Sequence, residues 1–161
     1  RLKRRGGIKN ITPNKSHFNR ELICPKCTAK NKTELLQMLC SKLEITGYVT
    51  GKFEKSVFER EESTSTDIGK GFAVPHGLSR YVNHSAAAFA TLETPIEWND
   101  GGELTDVVFL LAFDLDEDEK VKEEIIGFYK SVVSFMEDED ECKKLRELTD
   151  KDEIIKIFEK W

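Results

Sequence analysis

The chain has 161 residues, 39% of them hydrophobic and 34% charged, with a net charge of −5; it is long enough for one packed core and too short for two. Its longest apolar run, Val107 to Phe113, falls well short of the ~20 residues that span a bilayer. The basic N-terminus has no apolar stretch behind it, so the chain is read as a cytoplasmic protein with no membrane helix or secretory leader, and Cys24, Cys27, Cys40 and Cys142 as reduced thiols.

Charge is unevenly spread. Residues 1–20 hold seven basic side chains and no acid, which leaves 18 Lys and Arg against 30 Asp and Glu in the rest. An acidic body argues against nucleic acid as its ligand, except through other domains, and suits a basic protein partner. The first 20 residues, with Gly6-Gly7 and no hydrophobic periodicity, read as a basic linker or arm, and residues 21–161 as the domain.

In chain order, LICPKC (residues 22–27) predicts a first strand, with Pro25 marking an edge or a strand end. Asn31 with Glu34 three residues on is a helix start; Leu35, Leu36, Leu39, Cys40 and Leu43 then share one face, and Gly47 ends the helix. A second amphipathic helix is expected over 51–61, with Phe53, Val57 and Phe58 inward. STSTDIGKG reads as a polar loop, followed by strands at 72–74, 86–92 and 106–113. The last is apolar on both faces, the mark of a central strand covered by helices on each side. PIEWNDGG, residues 95–102, reads as a turn-rich connection. Three closing helices follow from the spacing of Val121, Ile125, Phe128, Val132 and Phe135, then of Leu145 and Leu148, then of Ile154, Ile157, Phe158 and Trp161. EDEDE, at 137–141, is a solvated helix start. The expected fold is therefore α/β, a mixed sheet sandwiched between helical layers.

GFAVPHGLS, residues 71–79, is where chemistry concentrates. Val74 precedes a proline and so stays extended, Pro75 removes a ladder donor, and Gly77 is expected to adopt backbone angles closed to other residues. His76 is thereby left at the C-terminal end of a strand, where open α/β sheets place their ligands. Upstream lie Arg60 at a helix end, the hydroxyls of Ser63, Thr64, Ser65 and Thr66, and Gly69 and Gly71. A guanidinium, hydroxyls and glycine-freed amides are what a phosphoryl group needs around it. An imidazole partly neutral at physiological pH offers one nitrogen to phosphorus while the other is held.

The string RE-x-x-(S/T)-x-T-x-x-G-x-G-x-A-V-P-H-G, Arg60 to Gly77, closely resembles the active-site segment of the type-2 EIIA domains, the mannitol/fructose class of the bacterial phosphotransferase system. The likeness runs from about Glu21 to Trp161. It implies a three-layer α/β/α sandwich in which His76 accepts a phosphoryl group from the phosphocarrier HPr, with Arg60 as electrostatic partner, Thr64, Thr66 and Gly77 supporting the phosphoryl site, and no metal or other cofactor. Transport-type members carry a second histidine after the central strand; here FDLDEDEKVKEEI, residues 113–125, has none. With the basic arm and the PIEW segment, that absence resembles the EIIA domains of transcriptional regulators and antiterminators. Two roles stay open: the EIIA module of a regulator controlled by its phosphorylation, or a transport-type relay from HPr to a sugar-specific EIIB domain.

Other candidates are weaker. Cys24-Pro-Lys-Cys27 has the spacing of half a zinc site with no second pair. His84 opens the strand after His76 and is a possible neighbour of it, and His17 lies in the arm. The acids after Phe113 read as a solvated helix start.

Overall fold

The computed structural model describes residues 17–114 and 119–161. Among them, β1 (Ile23–Cys27) is followed by α1 (Lys32–Ile45) and α2 (Phe53–Ser63), then β2 (Asp67–Gly69), β3 (Phe72–Ala73), β4 (Ala86–Glu97) and β5 (Leu104–Ala112), and finally α3 (Glu119–Met136), α4 (Glu139–Glu147) and α5 (Lys151–Glu159). The strands form one sheet in the order β1-β4-β5-β3-β2. β1 runs parallel to β4 and β3 parallel to β5, whereas β4–β5 and β2–β3 are antiparallel. The mixed sheet, the central place of β5 and the edge position of the Pro25 strand are as the sequence predicts.

Strand alternation sorts the core into two halves. On one face Ala73, Ala86, Ala88, Ala90, Val108, Leu110 and Ala112 meet α1 and α2 through Leu35, Leu36, Leu39, Leu43, Phe53 and Val57. On the other, Phe72, Phe89, Val107, Phe109 and Leu111 meet α3 to α5 through Phe128, Val132, Leu145, Ile154 and Phe158. The result is the three-layer sandwich, in which each fully buried aromatic or branched side chain contributes about 1.5–3 kcal/mol of transfer free energy.

Local chemistry sets the helix ends. The Asn31 side chain accepts from Glu34 N at 2.9 Å and caps α1. Asp138 caps α4 by accepting from Glu141 N, and Asp150 caps α5 by accepting from Asp152 N and Glu153 N. Gly47, at φ 88°, turns the chain out of α1.

Three expectations are corrected. The polar loop contains a strand: β2 pairs with β3 through a tight turn in which Lys70 (φ 53°) and Gly71 (φ 87°) are left-handed. β4 is longer than expected and takes in Pro95, Ile96 and Glu97, with a register shift between Thr91 and Ile96 that absorbs the proline. The packed body also begins before residue 21. Phe18 is 4% exposed and packs on Phe109, Phe128 and Phe158, while His17 lies against the Phe113 ring at 4.8 Å. Residues 1–16 of the basic arm lie outside the described residues, as do 115–118 of the acidic segment.

Candidate functional site

His76 stands where β3 has ended but its path continues beside β5. Leu111 N donates to Pro75 O at 2.9 Å, and His76 forms a parallel bridge with Leu111. Pro75 has no amide to offer, yet its carbonyl still ties the turn to the central strand. Gly77 serves a different purpose from the one expected. Its φ is not positive; instead a Cβ there would lie 2.6 Å from Phe53 Cε1 and 2.7 Å from Ser56 Oγ. Ser56 Oγ accepts from Leu78 N at 2.9 Å, so α2 grips the backbone just past the histidine.

The imidazole is half-buried, and among the described residues its Nδ1 is buried without a hydrogen-bond partner of good geometry. Burial and then the Arg60 guanidinium lower its pKa from 6.5, with the Val74 carbonyl and the Glu61 carboxylate pulling the other way. His76, Gly77, Leu111, Phe113, Ile125 and Tyr129 line a largely apolar cavity of about 130 Å³ beside the ring. The Tyr129 hydroxyl lies 3.4 Å from Val74 O, and burial pushes its pKa up.

Arg60 sits in the last turn of α2, with one guanidinium nitrogen donating to Thr64 O at 2.8 Å. Thr64 itself is exposed. Thr66 is buried, and both its amide and its hydroxyl donate to Glu61. Ser65 donates to Asp67 at 2.6 Å. Local links join these residues: Arg60 bonds Thr64 O, Thr66 O accepts from Val74 N two residues before His76, and Gly77 follows His76 in the chain. His84 is exposed, its amide bonds Tyr48 O, and it is not among the residues lining the cavity.

The sequence reading missed Glu61 and Tyr129. Glu61 offered one signal: an acid next to Arg60 in a chain where a tryptophan indole needs an acceptor. Tyr129 offered only helical spacing four residues after Ile125. A larger open hollow of about 710 Å³ lies toward the opposite end of β4, between Lys30, Thr33, Thr94 and Asp100, and holds none of the predicted site residues. The thiols of Cys24 and Cys27 are raised by burial, Cys27 to about 11, and among the described residues no cluster of three His, Cys, Asp or Glu side chains could hold a metal ion.

The fold and the site define a three-layer α/β domain with a proline-framed histidine at the end of its parallel strand pair. A family model described as "Phosphoenolpyruvate-dependent sugar phosphotransferase system, EIIA 2" matches residues 16–161, and the chain belongs to that family. It is 37% identical over 84 residues to the transcriptional regulator ManR of Bacillus subtilis, covering 52% of this chain and 13% of that protein. It is 30% identical over 143 residues to the nitrogen regulatory protein of Bradyrhizobium diazoefficiens, covering 86% of this chain and 89% of that one. Its fold matches a chain in the complex of enzyme IIAMTL and phosphorylated enzyme IIBMTL from Escherichia coli, with a TM-score of 0.74 at 22% identity over 89% of this chain and 98% of the other. This chain thus spans only a small part of ManR's length. Among the described residues no helix is long and apolar enough to cross a membrane.

Proposed function

We propose that this chain is a phosphoryl-accepting domain of the phosphotransferase system, with His76 as the acceptor and phosphorylated HPr as the donor. The observation that carries the reading is the placing of His76: a half-buried imidazole at a strand end, its Nδ1 buried, where burial and then the Arg60 guanidinium lower its pKa. With Nδ1 turned inward, Nε2 is the nitrogen that meets phosphorus. Its lone pair forms the P–N bond as the bond to the donor breaks, and that bond's electron pair returns to the donor. Arg60 stabilises the charge on the phosphoryl oxygens, so catalysis is positioning and electrostatics, and the reading calls for no cofactor.

The role we favour is the EIIA module of a regulator whose activity follows the phosphorylation of His76, supported by the match to ManR. The second reading, relay to an EIIB domain, is favoured by the fold's likeness to an enzyme IIA found in complex with a phosphorylated IIB. A cytoplasmic location fits either.

The test is incubation with phosphoenolpyruvate, Enzyme I and HPr, followed by intact mass. The wild type is expected to gain one acid-labile phosphoryl group and His76→Ala none. A wild type that stays unmodified while HPr is phosphorylated would sink the reading. Adding an EIIB domain then separates the two roles, since only a relay empties onto it rapidly.

A further inference from the structure

We propose that Glu61 is a positioning residue for phosphoryl transfer: its carboxylate pins the loop from which both Arg60 and His76 are held. The inference rests on His76 being the acceptor. Glu61 is 6% exposed, and both of its carboxylate oxygens accept hydrogen bonds. Oε2 accepts from Thr66 N at 3.0 Å and from Trp98 Nε1 at 3.0 Å, with Lys32 Nζ at 3.5 Å, and Oε1 accepts from the Thr66 hydroxyl. One side chain thereby joins the end of α2, the loop after it, the residue following β4 and the start of α1.

Two connections lead from that loop to the reacting groups. Thr66 O accepts from Val74 N at 3.0 Å, which fixes the strand end immediately before Pro75 and His76. Thr64 O accepts from the Arg60 guanidinium at 2.8 Å. The Thr66 hydroxyl is buried and committed to Glu61, so Thr66 supports the phosphoryl site through this carboxylate and not by touching the phosphoryl group. What the loop requires is acceptor geometry: two backbone and indole N–H groups and a hydroxyl converge on the two oxygens, and without them those donors are buried unpaired. A loop released by even ~1 Å misplaces the reacting groups enough to slow transfer ~10²-fold.

Transfer from phosphorylated HPr is measured as kcat and KM for Glu61→Leu, Glu61→Gln, Thr66→Val and the Glu61→Leu/Thr66→Val double variant. Glu61→Leu is expected to lower kcat ~10²-fold with KM for the donor unchanged, the mark of lost positioning and not lost docking. Glu61→Gln retains most of the rate, because its amide oxygen replaces Oε2 and its NH2 can donate to the Thr66 hydroxyl. The double variant is expected to be no slower than the slower single one, since both break the same link. A Glu61→Leu protein as fast as wild type overturns the proposal, as does a Gln variant as slow as Leu. A double variant showing the product of the two single losses also overturns it, by giving Thr66 a contact of its own with the phosphoryl group. If Glu61→Leu does not fold, the Thr66→Val/Trp98→Phe double variant, which strips the hydroxyl and indole donors from the carboxylate, decides, and a wild-type rate there is fatal to the idea. A wild type that accepts no phosphoryl group removes the functional reading itself, whereas an accepting wild type beside an equally fast Leu variant removes only this one.

Discussion

At His76 two costs act on the charged form, the loss of water around a half-buried ring and the nearby Arg60 guanidinium. Both favour the neutral imidazole, the form with a lone pair to give. The imidazole is therefore expected to titrate below 6.5, followed by NMR of its ring signals. The sign for transfer follows: the rate stays level above 6.5 and falls as pH drops through the depressed pKa, where the nucleophile becomes protonated. Arg60→Met removes a positive charge, so it should raise the His76 titration midpoint while slowing transfer, because the same charge that disfavours imidazolium stabilises the phosphoryl oxygens. A midpoint that does not rise in this variant would separate Arg60 from the imidazole. His76 and Arg60 were legible in the sequence because their residue types carry their chemistry. Glu61 was not, because what makes it matter is Trp98, 37 residues away and brought to it only by the path of β4.

The β3–Pro75–His76–Gly77 turn is held on both sides, by β5 at Pro75 O and by α2 at Gly77 and Leu78 N. Gly77→Ala would drive a methyl group into Phe53 and Ser56, which overpacks the contact and is expected to cost about 1–3 kcal/mol. Denaturant unfolding checks this, and an unchanged midpoint would show that α2 yields there. Helices were the legible elements: α1 declared its cap, its apolar face and its terminating glycine. Strand limits were harder. β2 is only three residues long, Asp-Ile-Gly, and at the sheet edge, so it is too short to show the apolar alternation that reveals a strand, and it meets β3 through a turn with positive φ at Lys70 and Gly71. Pro95 reads locally as a break, but the register shift in β4 accommodates it, and only the paired strand β5 makes that visible.

Across the whole molecule the two faces of the sheet are built on different plans. The alanine-rich face brings α1 and α2 close to the strands, whereas the opposite face is centred on Phe109, which meets Phe18, Phe72, Phe89, Phe128, Phe158 and Trp161. Because that ring, itself on β5, touches Phe18 ahead of β1, two neighbouring strands through Phe72 and Phe89, and two of the closing helices through Phe128 and Phe158, its loss cannot be absorbed locally. Phe109→Ala is expected to cost about 3–5 kcal/mol, read by thermal or denaturant unfolding. A cost near that of an exposed site would mean the aromatic cluster repacks.

The attachment of Pro75 to Leu111 sets how such a domain can carry a message. Its histidine stands just past β3 and is bridged to the central strand β5 at Leu111, so a phosphoryl group on it would sit on backbone tied to the sheet. What changes is the sign and density of charge presented at one end of an already acidic body. On the proposed reading, a protein that responds to this domain would meet that added charge at a fixed place on the sheet.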